Sequence, residues 1–257
     1  MDSQNVTLKV NIKLYEAFRS YCKQNGMVVS QQFEIMMEDK VGSNYKNLFA
    51  NNKRISNSGT KKYMGSLTGE PFMLFEAKIV AGLLLGDQSL DVIRKTVVQN
   101  NLFGYRTVKS IPKRVNSIIK RIGKFDHLLL DKIVNDLSGD GRVVALYSIY
   151  LQDRLFREFM NEVITEKFSI RDFSFDKRSI RKFISDKSDS EKKIQEFTKE
   201  TKSKLANVMF NILKESGVII ESDKSFKLNN LLISSNLRNY YDNKGETKFL
   251  KSVGALQ

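Results

Sequence analysis

The chain has 257 residues with 43 Lys and Arg against 29 Asp and Glu, a net charge of +14 and a pI of about 9.7, which points to a polyanionic partner such as nucleic acid. Hydrophobic residues make up 41% and Pro only 2 positions, which excludes a largely disordered chain. A single Cys22 and a single His127 exclude a disulfide framework and a His/Cys metal cluster.

The chain opens with Val6-Thr7-Leu8-Lys9-Val10-Asn11-Ile12, a strict alternation that predicts a strand with Thr7, Lys9 and Asn11 on its polar face. A helix is predicted over 14–25, with Leu14, Ala17, Phe18, Tyr21 and Cys22 inward and Gly26 past its end. Ser30 is the expected cap of a second helix over 31–41, which buries Phe33, Met36, Met37 and Val41. An unpaired strand and two short helices make a marginal core, so a homodimer with the two strands paired is expected. This order resembles the ribbon-helix-helix DNA-binding family. The resemblance implies that Thr7, Lys9 and Asn11 reach base edges, and that the backbone at Val29 and Ser30 meets a phosphate.

Residues 47–62 read as a linker after a ribbon module over 1–46, because Asn, Ser, Gly and Lys dominate. A helical domain is expected over 63–170. Pro71 introduces a helix over 72–85, Ser89 caps one over 90–100, and Thr107 caps a third reaching about 124, with Pro112 in its first turn. The third helix and its approach carry Arg106, Thr107, Lys109, Lys113, Arg114, Lys120 and Arg121, which suits equally a helix-turn-helix unit facing DNA and a solvated basic helix in an ordinary bundle. Residues 126–168 supply core through Leu128, Leu129, Ile133, Leu146, Tyr147, Tyr150, Phe156 and Phe159.

A C-terminal domain is expected over 171–257. Asp176 or Ser179 starts a short helix over 180–184, and the longest helix runs over 196–216 to Gly217. Residues 218–221 and 225–228 then form a hairpin. Helix, helix and hairpin in that order resemble a winged helix, which implies that exposed Thr198, Lys199, Thr201, Lys202 and Lys204 face a groove or its phosphates. The fold class expected is therefore mostly α.

Tyr63-Met64-Gly65-Ser66, Glu76 to Gly86, Val98-Gln99-Asn100-Asn101-Leu102, Lys113-Arg114-Val115, Asp153-Arg154-Leu155 and Thr198 to Gly217 occur in an order that resembles the BrxA family of bacterial BREX phage-defence systems. The resemblance covers about 61–232. It implies a mostly helical DNA-binding protein acting beside other BREX components, and the N-terminal ribbon is a departure from the family pattern.

The charge is unevenly placed: residues 51–125 hold 14 basic against 4 acidic side chains, and residues 171–257 hold 18 against 12. No phosphate-cradling glycine frame is present. Glu70-Pro71 and Glu76-Ala77-Lys78 faintly echo a metal-dependent nuclease, but Glu76 and Lys78 lie on a helical pattern and diverge. The expectation is a protein without enzymatic activity, cofactor or metal. The longest apolar run, 79–86, is too short to span a membrane, and the start Met1-Asp2-Ser3-Gln4 has no signal-peptide pattern, so a cytoplasmic protein is expected. Two other functions fit the same residues, a repressor of its own operon and an RNA-binding or architectural module.

Overall fold

The computed structural model describes residues 11–24, 27–30, 32–33, 36–37, 63–135 and 139–255. The chain divides into two compact units, Met1–Thr60 and Lys61–Gln257.

In the first unit helix α1 spans Ile12–Gln24. It starts at Ile12, a position expected in a strand, because Asn11 caps it by accepting the Leu14 N–H at 3.2 Å. Residues 29–30, 32–33 and 36–37 are helical, so Ser30 lies within helical backbone and not at the cap. Phe18 and Phe33 meet edge to face at 5.3 Å, and Cys22 is buried. Leu14, Met36 and Met37, expected inward, are 70%, 53% and 56% exposed. The predicted strand up to Val10, Val41 and the predicted linker lie outside the described residues.

In the second unit, α2 (Leu74–Leu85), α3 (Leu90–Gln99), α4 (Ile111–Ile122) and α5 (His127–Val134) form the first half. The predicted single helix from Thr107 is a 3-10 turn, Val108–Ser110, followed by α4 with Pro112 in its first turn. That placement leaves no helical hydrogen bond for the proline to break. Helix α6 (Asp140–Gln152) runs through the centre with Val143 to Tyr150 buried without interruption. A helix apolar on every face needs partners all round. Here they include α2, α4 and α5, with Tyr241 and Phe249 closing on Tyr147 at 4.8 and 4.9 Å.

Asp153 breaks the chain direction and caps α7 (Arg154–Phe159), which passes through a π turn, Met160–Ile164, into α8 (Thr165–Ser169). Strand β1 (Ser174–Phe175) follows, then α9 (Lys177–Ser190), the short α10 (Lys192–Gln195) and α11 (Lys199–Ser216). Helix α9 is capped by Asp176, one of the two expected caps, which accepts the Arg178 N–H at 2.7 Å, and it runs past the expected end at 184 to Ser190. Strands β2 (Ile219–Ser222) and β3 (Ser225–Leu228) form the predicted hairpin. Two helices not anticipated, α12 (Ser235–Asn243) and α13 (Thr247–Ser252), complete the described fold.

The sheet is antiparallel with strand order β1-β3-β2. Ser222 pairs with Ser225, and the two residues between them, Asp223 and Lys224, both have positive φ (49° and 60°). That is the backbone of a tight hairpin whose twist matches its strands. The protein is mostly helical, as expected, with one hydrophobic core running from Tyr63 to Ala255. No described helix is long and apolar enough to cross a membrane.

Candidate nucleic-acid interface

The residues singled out in the sequence fall into three groups. In the first, Thr7 and Lys9 lie outside the described residues, Asn11 caps α1, and Ser30 lies within helical backbone.

The second group flanks α4. Arg106, Thr107 and Lys109 sit exposed on the approach and on the 3-10 turn, and Lys113 and Lys120 are exposed on α4 itself. Arg114 turns inward and donates to the Gly69 carbonyl at 2.9 Å. Arg121 is buried and donates to the carbonyls of Glu70, Pro71 and Phe72 at 2.7, 2.8 and 3.3 Å. These two arginines hold the segment leading into α2, and Arg121 is buried there while Arg114 stays partly exposed. The reason is geometric: Val115, Ile118, Ile119 and Ile122 fix the buried side of α4, and positions 114 and 121 fall beside that stripe.

The third group lies on α11. Thr198 is its cap, accepting the Thr201 N–H at 3.2 Å. Thr201 is half-buried beside Gly65, and Lys202 donates to Ser188 Oγ at 2.7 Å. Lys199 and Lys204 are exposed. With Leu205, Ala206, Met209, Ile212 and Leu213 buried, the opposite face carries Ser203, Lys204, Asn207, Asn211 and Lys214, all exposed. Three- and four-residue steps align these five side chains along the helix.

Asn207, Asn211 and Lys214 were not among the expected residues. They could have been found by counting outward from the buried stripe. The hairpin adds exposed Lys224 at its tip and Lys227 on β3. Lys214 lies 5.5 Å over the Phe226 ring and 3.5 Å from the Glu221 carboxylate, and Lys227 is 3.9 Å from Asp223. Such exposed pairs are worth about 0–1 kcal/mol, so they orient these lysines without neutralising them.

No group of three or more His, Cys, Asp or Glu placed to hold a metal occurs among the described residues. Glu76 accepts a hydrogen bond from the Tyr105 hydroxyl, whose pKa burial, helped by this bond, pushes up to about 12. Glu70 lies 3.6 Å from the Arg121 guanidinium. Each of these carboxylates is thus engaged with a packing partner.

The BrxA family model matches residues 61–245. A BREX protein BrxA of Bacillus cereus (strain H3081.97) is 27% identical over 157 residues, covering 61% of this chain and 78% of the relative. A BREX protein BrxA of Paramagnetospirillum magneticum (strain ATCC 700264 / AMB-1) is 22% identical over 193 residues, covering 75% and 96%. The crystal structure of an uncharacterized protein from Magnetospirillum magneticum superposes with a TM-score of 0.64 at 18% identity, over 76% of this chain and 100% of the other, and so shares its fold.

Proposed function

Because the chain belongs to the BrxA family, we propose that it serves a BREX phage-defence system as a non-enzymatic accessory protein that binds double-stranded DNA. The observation that carries this reading is the polar stripe of α11, Ser203 to Lys214, beside a hairpin tipped by Lys224. A winged-helix unit made of α9, α11 and the sheet is part of this reading, and the strand order β1-β3-β2 supports it. In this reading α11 enters the major groove, where Asn207 and Asn211 can pair with adenine edges through two hydrogen bonds each. Lys199, Lys204, Lys214, Lys224 and Lys227 meet flanking phosphates, while Arg106, Lys109 and Lys113 supply a second basic surface.

The test is titration of a labelled duplex with the full chain and with an Asn207→Ala/Asn211→Ala variant. Binding that weakens about tenfold or more, with loss of sequence preference, is the expected result. Unchanged binding, or tighter binding to RNA than to the same sequence as DNA, would remove α11 from this role.

A specific observation also supports the N-terminal ribbon and the homodimer. Ile12 and Leu14 are 73% and 70% exposed in a unit too small to leave such side chains in water without cost. A second copy covering them would join two N-terminal units, and in this reading residues 6–10 of the two copies pair as a ribbon with Thr7 and Lys9 outward. If that ribbon reads the operon's own promoter, the protein is also an autorepressor, and footprinting of the upstream promoter distinguishes this role from one confined to the defence assembly.

A further inference from the structure

Helices α9 and α11 leave between them an open cleft of ≈ 240 Å³ lined by Arg181, Ile184, Ser185, Ser188, Lys202 and Ser203. Helical periodicity builds it: positions 181, 184, 185 and 188 share one face of α9, and Lys202 and Ser203 come from the first turns of α11. Ile184 is buried and forms the floor. Lys202 donates to the neutral hydroxyl of Ser188, so that bond fixes the ammonium without cancelling its charge. Asp176, the acidic residue that opens α9, is paired with Arg178 at 2.6 Å and also feels the charge of Arg181 more weakly, without lining the cleft. Among the described residues no salt bridge engages Arg181 or Lys202. The lining thus holds two cations and three hydroxyls with no carboxylate.

We propose that this cleft binds a phosphate group. A guanidinium offers a planar fork of donors, an ammonium a point charge, and serines fill the remaining acceptor positions of a tetrahedral oxyanion. The size favours a single phosphate, since pockets that enclose drug-sized ligands run to about 300–1,000 Å³. Ser203 belongs both to the cleft and to the stripe of α11, so a phosphodiester of duplex bound on that stripe is the nearest source. Only this choice of source rests on the DNA-binding reading; a free phosphate satisfies the same chemistry.

The test uses the full chain, with Arg181→Gln, Lys202→Gln and Lys202→Arg, and with Lys182→Gln, exposed elsewhere on α9, as the charge-matched control. Duplex affinity is measured across salt, and melting temperature is measured in inorganic phosphate against chloride at equal ionic strength. The two Gln variants at the cleft are expected to weaken duplex binding about tenfold and to lower the log–log salt slope by about 0.9. Lys202→Arg restores most of the binding and Lys182→Gln changes the slope little. If the cleft variants match wild type while Asn207→Ala/Asn211→Ala loses binding, the cleft is not a phosphate site and the DNA reading stands alone. If the wild type ignores duplex but phosphate raises its melting temperature, and not that of Arg181→Gln, the cleft stands with a free phosphate as its ligand. The absence of both a slope change and a phosphate-dependent melting shift would overturn the proposal.

Discussion

Arg121 shows how a basic residue can count toward net charge and still be unavailable to a partner. Its side chain is buried, three carbonyls converge on it, and burial lowers its pKa to about 10 despite the neighbouring Glu70. Arg121→Met would leave those carbonyls and the Glu70 carboxylate without their donor, so a loss of about 3 kcal/mol in denaturant unfolding is expected. Asp153 sits in the same buried region, and burial raises its pKa from 3.8 to about 6 against the opposing pull of the Phe156 N–H and Arg121. The folded state therefore holds this proton between about pH 4 and 6 while the unfolded chain has released it. The group's stabilising contribution is complete below pH 3.8 and is lost as pH rises through about 6. Asp153→Asn keeps a cap for the Phe156 N–H and removes the titration. Its stability relative to wild type should rise by about 2–3 kcal/mol between pH 4 and pH 7, measured by urea unfolding. A flat difference across that range would mean that Asp153 ionises normally in the fold.

At the scale of elements, the hairpin places a lysine where a glycine would be easier to hold. Asp223 and Lys224 both adopt positive φ, a conformation that Asn-Gly adopts at least cost. Lys224→Gly should raise the melting temperature, through about 0.5–1 kcal/mol of relieved strain, while weakening duplex binding by removal of the tip charge. A rise in both stability and affinity would exclude the tip from the interface. The hairpin was legible in the sequence because its apolar residues and turn lie within ten positions of one another. Helix α11 was legible in extent but not in outward register, which required its buried stripe. Strand β1 was not legible at all. Its two residues carry no periodicity, and it exists because β3 offers it an open edge. Asn11 illustrates the opposite limit. Its place in an alternating run predicts strand, but Asn is also a strong helix cap, and the local Leu14 bond decides in favour of the helix.

For the molecule as a whole, the expected division of labour is between an N-terminal unit that joins two copies and a basic body that grips phosphate. On the proposed function, two bodies joined in this way would engage one duplex with the second contact made at high effective concentration. Light scattering of the full chain should therefore give twice the 29.6 kDa chain mass. Removal of residues 1–60 should give a folded monomer, because Lys61–Gln257 holds its own core. That monomer should bind duplex at least ~10²-fold more weakly than the dimer while keeping the salt dependence per body, about 0.9 in log–log slope for each phosphate neutralised. Changing Thr7, Lys9 and Asn11 together to Ala provides the complementary cut. If the ribbon reads bases, sequence preference is lost while the apolar contacts at Val6, Leu8 and Val10 preserve the dimer. Asn11→Ala made alone should cost about 1 kcal/mol of stability through loss of the α1 cap, whatever it does to preference. A truncated body that remains dimeric would move the subunit interface out of the N-terminal unit. A triple variant that keeps its preference would leave base reading to α11.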